Sequence, residues 1–269
     1  MINKVYLVGA GPGDPELITL KGARVLGEAG VVIYDRLAPA GVLKLAVSAE
    51  LISVGKEPGA SLNCQDDINR LMSFHALRGK KVVRLKGGDP FIFGRGGEEA
   101  EYLLSRGIPF EIVPGVTAAS GVAASSGIPL TDRRYSSAVT LVAGHRAVGA
   151  GLDSMDWASL AALGHTLVFY MGIANIREIT GSLLKHGKPG ATPAAIVSRA
   201  TMPGQKVVFG TLSDIAVRCA QEALPPPALL IIGEAACHSV LHNSTGEPLF
   251  AAPLGKGDTC IHPSTGLTR

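Results

Sequence analysis

The chain has 269 residues, of which 46% are hydrophobic and 17% charged, with 34 glycines. That length and balance exclude a disordered chain and fit one large or two small α/β domains with a buried core. A net charge of +3 without a long Lys/Arg run argues against nucleic acid as a partner, while local arginines could still meet an acidic small molecule.

Apolar runs alternate with helical patterns from the start. "KVYLVG" (Lys4 to Gly9) reads as a buried strand, and "TLKGARVLGEAG" has helical spacing and stops at Gly30. "VVIYD" and "AELISVG" are further strands, and "QDDINRLMSFHALRG" is an amphipathic helix with a glycine stop. "KVVRLKGGDP" runs from strand into loop, "GGEEAEYLLSRG" is a helix and "FEIV" a strand. This β-α alternation predicts a mostly parallel sheet with crossover helices.

Residues 112–131 carry no charge and have the length of a membrane span. They contain Pro114, Pro129 and many small residues, so they read as a loop and a buried small-residue helix, with no membrane partner. The pattern breaks over "GIPLTDRRYSS". A second series follows, with strands "AVTLVAG", "HTLVFYMG", "TPAAIVS", "QKVVFG" and "ALLIIGE" and the helix "IANIREITGSLLKHG". Its last strands are closely spaced, which predicts a mixed sheet. The expectation is two α/β domains, 1–133 and 134–243, followed by a flexible Gly/Pro/Ser/Thr-rich tail, 244–269.

Cys64, Cys219, Cys237 and Cys260 form no CxxC pair and have no histidine at zinc-ligand spacing. They read as free thiols in a reducing compartment, and no metal site is encoded. The N-terminus lacks the apolar core of a signal peptide, so the expected location is cytoplasmic.

In open α/β sheets, ligands lie beyond the carboxyl ends of strands. "GAGPGD", "GGDPFIFGRGG" and "PGVTAASG" all follow strands and should crowd one edge. The first has the spacing G-x-G-x-G, where a dinucleotide loop needs G-x-G-x-x-G. Pro12 removes a backbone donor, and Asp14 and Glu16 put negative charge where a phosphate would sit. Two readings remain for this loop: a plain turn, or a site for a ligand with an adenosine and no phosphate, such as S-adenosylmethionine.

"VGAGPGDPELITLKGA", "GGDPFIFGRGGEEAEYL" and "PGVTAASGVAASSGIPLTDR" closely resemble the tetrapyrrole methylases, over about Lys4 to His242. Within that family, "YDRL", "VGK", "GRGGEE" and "FYMG" are similar to the uroporphyrinogen-III C-methyltransferases. The resemblance implies a homodimer of two-domain chains with S-adenosylmethionine in the cleft between the domains. It also implies methylation of uroporphyrinogen III at C2 and C7 to precorrin-2, for cobalamin, sirohaem or haem d1. Its cofactor contacts carry over to Pro12, Gly87, Gly88, Asp89, Ile92, Thr117, Ala118, Met171 and Ala200. The glycines are expected to let backbone approach the ligand, and the helix starting at Thr117 to offer N–H groups to its carboxylate.

The same resemblance makes Arg95 and Arg133 the arginines for an eight-carboxylate substrate, with Glu98 beside Arg95 and Met171 at the reacting end. Asp35 is implied as proton acceptor and Lys56 as donor, and Arg95 rivals Asp35 for proton handling. A later corrin-pathway methylase, such as one acting on precorrin-4, and a non-catalytic S-adenosylmethionine or tetrapyrrole sensor are the alternatives.

Overall fold

A computed structural model describes residues 2–55, 65–145 and 152–240. Strands β1 (Val5–Gly9), β2 (Val31–Tyr34), β3 (Glu50–Ser53), β4 (Val82–Lys86) and β5 (Phe110–Val113) form the first sheet, in the order β3-β2-β4-β1-β5. Every pairing is parallel, as the alternation predicts.

Alternate strand residues face opposite sides, and each side is covered. Val5, Leu7, Ile33 and Val82 pack against Met72 and Ala76 of α3 (Gln65–Leu77) and Leu103 of α4 (Gly96–Ser105). Val8, Val32, Val83 and Leu85 pack against Val25 and Leu26 of α1 (Leu20–Gly27) and Val42 of the short α2 (Ala40–Leu43). Helix α1 begins where expected, because the Thr19 side chain accepts the Gly22 N–H and caps it.

The second sheet comprises β6 (Val139–Ala143), β7 (Thr166–Tyr170), β8 (Pro193–Ser198), β9 (Lys206–Thr211) and β10 (Ala228–Ile232), in the order β6-β7-β10-β8-β9. It is mixed: β6 and β7 are parallel, and β10 runs antiparallel to both β7 and β8. One face is covered by α6 (Trp157–Ala162), α7 (Ile176–Lys185) and α8 (Ile215–Gln221). The other face receives α5 (Ala118–Ser126), whose Ala119 and Val122 pack on Val168, Ala195 and Ile231.

Helix α5 explains the charge-free stretch. It follows β5 of the first sheet but packs on the second, so its small residues are buried between the two layers. Among the described residues, no helix is long and apolar enough to cross a membrane. The expected tail, 244–269, lies outside the described residues.

At the carboxyl edge of the first sheet the backbones of Gly9, Gly88 and Gly115 touch. A Cβ on Gly9 would lie 2.5 Å from the Gly88 carbonyl oxygen and 2.6 Å from the Gly115 nitrogen. Both neighbours are backbone and cannot swing aside. Gly9→Ala should therefore cost at least about 2 kcal/mol of unfolding free energy, as overpacking does. Gly97→Ala, where an added Cβ meets nothing within 4 Å in α4, should instead gain about 0.5–1 kcal/mol. Urea unfolding of both variants checks the contrast.

Candidate active site

The three glycine-rich segments do share one edge. The Ala10 N–H donates to the Lys86 carbonyl at 2.8 Å, and Gly11 and Gly88 exchange both backbone bonds, at 3.2 and 2.8 Å. The Asp89 carboxylate accepts from the Phe91 N–H at 2.8 Å and from the Gly115 N–H at 3.0 Å, which ties the loop after β4 to the loop after β5. The expectation that glycines open the backbone to a ligand needs refinement. Gly9 and Gly115 make room for the other loops, and a Cβ on Gly87 would meet the Leu37 side chain at 2.7 Å. Gly88, at φ +66°, leaves the space toward the Ala118 nitrogen clear of any side chain.

The second sheet closes on this edge. The Tyr170 hydroxyl lies 2.8 Å from Thr117 Oγ1 and accepts the Ala119 N–H at 2.9 Å, satisfying one of the free donors of the α5 N-terminus. Burial pushes the Tyr170 phenol above its ordinary range. The Phe93 ring packs on Tyr170 with centroids 4.8 Å apart. Pro12 packs on Gly121 of α5, and the Asp14 N–H donates to Thr201 Oγ1 at 3.0 Å. Ala200, beside Thr201, is buried against α5 and the second sheet. Met171 is 51% exposed, so it is not a core residue. Ile92 is exposed in the loop that carries Phe93.

Backbone strain gathers at the same rim. Phe93, Arg95, Met171, Arg199 and Thr201 have φ between 52° and 63°, and the one other non-glycine residue of positive φ among those described is Ala223. Left-handed non-glycine residues cost about 1–3 kcal/mol each and collect at functional sites.

Arg95 forms the N-cap of α4 and binds Glu98 through two bonds, Nε to Oε1 at 2.9 Å and Nη2 to Oε2 at 2.6 Å. This pairing holds the Glu98 carboxyl below its ordinary range. Asp35 follows β2; its Oδ1 accepts the Leu37 N–H at 3.0 Å, and its Oδ2 lies 3.5 Å from Arg84 Nη2. Lys56 lies outside the described residues.

Arg133 is placed apart from this rim. It is exposed and lines a cavity of about 400 Å³ with Tyr135, Ser136, Gly164 and His165. Gly164 and His165 precede β7, whereas Met171 follows it, so the length of a five-residue strand, ~16 Å, separates the two ends. Its neighbour Arg134 is held by Asp132 through two bonds of 3.0 Å.

Three residues absent from the sequence expectations stand beneath the rim. Arg84 and Lys86 of β4 are each 3% exposed, and Glu99 of α4 is fully buried. Arg84 Nε, Lys86 Nζ and the Gln65 amide all donate to Glu99 Oε1, at 3.0, 2.9 and 3.0 Å. The available signal was two cations at alternate positions of a strand in a sheet predicted to be mostly parallel, where apolar residues are the rule.

Residues 4–216 match the family described as Tetrapyrrole (Corrin/Porphyrin) Methylases. The chain belongs to that family. Among tetrapyrrole methylases of known structure, it is 44% identical to the uroporphyrin-III C-methyl transferase from Thermus thermophilus complexed with S-adenyl homocysteine. That alignment covers 87% of this chain and 98% of the other, with a TM-score of 0.75. A cobalt precorrin-4 methyltransferase is 28% identical with a TM-score of 0.76, over 87% of this chain and 95% of that one. The siroheme synthase of Pseudomonas putida (strain W619) is 50% identical over 233 residues, which are 86% of this chain and 50% of that protein. Siroheme synthase 1 of Yersinia enterocolitica is 51% identical over 86% of this chain and 48% of its own length. The chain thus spans about half the length of the curated relatives it matches.

Tyr170 is the side chain that joins the two sheets at the rim. Tyr170→Phe removes the partner of the buried Ala119 N–H and should cost about 1–3 kcal/mol of unfolding free energy. Thr117→Val, which removes one bond and leaves the Tyr170–Ala119 bond in place, should cost less. Denaturant unfolding of the two variants ranks them.

Proposed function

We propose that this tetrapyrrole methylase transfers methyl groups from S-adenosylmethionine to C2 and then C7 of uroporphyrinogen III, giving precorrin-2 and S-adenosylhomocysteine. The observation that carries the reading is the 44% identity, over 98% of its length, to a uroporphyrin-III C-methyl transferase complexed with S-adenyl homocysteine. The precorrin-4 methyltransferase is as close in shape but only 28% identical, so a later corrin substrate is the second reading. Precorrin-2 made here would serve sirohaem, cobalamin or haem d1 synthesis.

The rim suits such a ligand. Its first loop offers Pro12 and two acids in place of phosphate donors, and S-adenosylmethionine has no phosphate. Pro12, Gly87, Gly88, Asp89, Ile92, Thr117 and Ala118 would hold it from the first sheet and α5, with Met171 and Ala200 from the second. When bound, it supplies a methyl group already activated on a sulfonium. The chain's task is then to align a pyrrole carbon with that methyl and take a proton. Alignment of this kind can lower a barrier by about 7–11 kcal/mol.

As the new C–C bond forms, the C–S bond breaks with its electron pair left on sulfur, and the pyrrole N–H proton goes to a base. Asp35 is assigned that proton, because a guanidinium does not give up protons in proteins and Arg95 is engaged with Glu98. Arg95 and Glu98 are assigned to substrate carboxylates and pyrrole N–H groups, and Lys56 to proton return. Arg133 remains a proposed carboxylate contact at the far end of β7. The proposal includes a homodimer of two-domain chains, divided near residue 133 and working in the cytoplasm. Sedimentation velocity tests the dimer.

Anaerobic incubation with S-adenosylmethionine and freshly reduced uroporphyrinogen III should add two methyl groups to the tetrapyrrole, read by mass spectrometry. No methyl gain from folded protein that binds S-adenosylhomocysteine would move the substrate to a later corrin. Arg95→Ala should lower kcat/KM by about 10–150-fold, the worth of one charge-assisted bond, without changing S-adenosylhomocysteine affinity. Normal turnover in that variant would remove Arg95 from the site.

A further inference from the structure

Lys86 and Arg84 sit where a parallel sheet normally buries valine or leucine. Strands β2 and β4 pair with Tyr34 beside Leu85, so the next residues, Asp35 and Lys86, come side by side at the strand ends. Val82 of β4 faces α3 and α4, and residues two and four further on face the same way, which aims Arg84 and Lys86 at those helices. There Glu99 Oε1 accepts from both cations and from Gln65. Arg84 also donates to the carbonyls of Ile33 at 3.4 Å and Leu85 at 3.1 Å, which fixes its fork between β2 and β4. Its remaining nitrogen, Nη2, is the one 3.5 Å from Asp35.

Stability does not account for this cluster. Buried ion pairs are often no more stable than apolar residues of the same volume. Glu99 Oε2 is buried and has no hydrogen-bond partner, so the arrangement leaves one acceptor unsatisfied. Burial, followed by the neighbouring Arg84, pushes the Lys86 ammonium below the usual lysine range, against the pull of Glu99 and Asp35. Two cations and two carboxylates thus balance one another directly beneath the strand ends that carry Asp35 and the Gly87–Asp89 loop.

We propose that Arg84, Lys86 and Glu99 are positioning residues that aim the Asp35 carboxylate as the proton acceptor. This rests on the methyltransferase reading above. Arg84 supplies the orienting contact. Glu99 carries the opposite charge and holds both cations through its Oε1. The charged groups facing Asp35 are Arg84 and Lys86 from β4, and Glu99 from α4 stands behind them, bound to both; Glu98 of α4 also feels Lys86, α3 contributes the neutral Gln65, and Arg36 is the adjacent exposed cation.

The test is the pH profile of kcat at saturating S-adenosylmethionine and uroporphyrinogen III, with S-adenosylhomocysteine binding measured alongside by calorimetry. Arg84→Met removes positive charge beside Asp35 and should move the acid limb up by about one pH unit. Lys86→Met should move it the same way. Glu99→Gln should move it down by about one unit and lower the plateau, because the unopposed cations weaken the base. Arg84→Lys should restore the wild-type limb. All should bind S-adenosylhomocysteine like the wild type.

A purely structural cluster would lower stability and leave every limb where it was; that result, or limbs moving in one direction only, overturns the proposal. Should Arg84→Met fail to fold, the near-isosteric Glu99→Gln decides alone, a static limb being the overturning result. Wild-type protein that methylates nothing overturns the methyltransferase reading and this proposal together, whereas active wild type with unmoved limbs overturns this one only.

Discussion

The contact among Gly9, Gly88 and Gly115 is the constraint on which the rim depends. The three backbones can meet only because Gly9 and Gly115 carry no Cβ, while Gly88 takes a left-handed φ of +66°. Once they meet, the Gly11–Gly88 bonds and the Asp89 carboxylate fix the loops without using any other side chain. Pro12, Phe91, Ile92, Phe93 and Thr117 are left to face outward or across to the second sheet. Close approach of main chains at the base is what frees the side chains above it.

The second sheet reaches this platform through α5. That helix begins beside Gly88 and packs on β7, β8 and β10, so the two sheets share it. Its small residues set the spacing, since Gly121 accepts Pro12 at a distance no larger side chain would permit. Tyr170 and Thr201 then bond across to Thr117 and Asp14. Phe93, Met171 and Thr201, all with left-handed backbone, lie at or beside these crossings. Met171 stands half exposed at the end of β7, itself at φ 55°. Strain of about 1–3 kcal/mol per residue is sustained because the surrounding bonds over-determine each position.

The strands were legible in the sequence because each is an apolar run closed by glycine or a turn. Helices α2, α6 and α8 were not, because four to seven residues give too few turns for a 3.6-residue period to emerge. The strand-end loops could be placed at one edge from the β-α order alone. What the glycines do there could not, since a sequence does not reveal whether a missing Cβ faces a ligand or another loop. Arg133 illustrates the same limit: it neighbours the α5 motif in sequence, but α5 carries the chain to the opposite end of β7 before that residue is reached. The Arg84–Lys86–Glu99 cluster was hidden because Glu99 joins the strand from another element, and alternating charge in a strand ordinarily signals a solvated face.

Arg84 and Arg95 differ in burial, and that difference separates their proposed work. Arg84 is buried and fixed by four neighbours, Asp35 among them. It cannot leave to meet a substrate without abandoning Glu99 in the core. Arg95 is paired with Glu98 in water, and exposed pairs of this kind are worth about 0–1 kcal/mol. On the proposed function, a substrate carboxylate would replace Glu98 on Arg95 at little cost, and the displaced Glu98 would accept from a pyrrole N–H. A chain of net charge +3 would in this way bind a polyacid without a broad basic surface: on the proposal, the buried cation aims the base, and the exposed one exchanges partners.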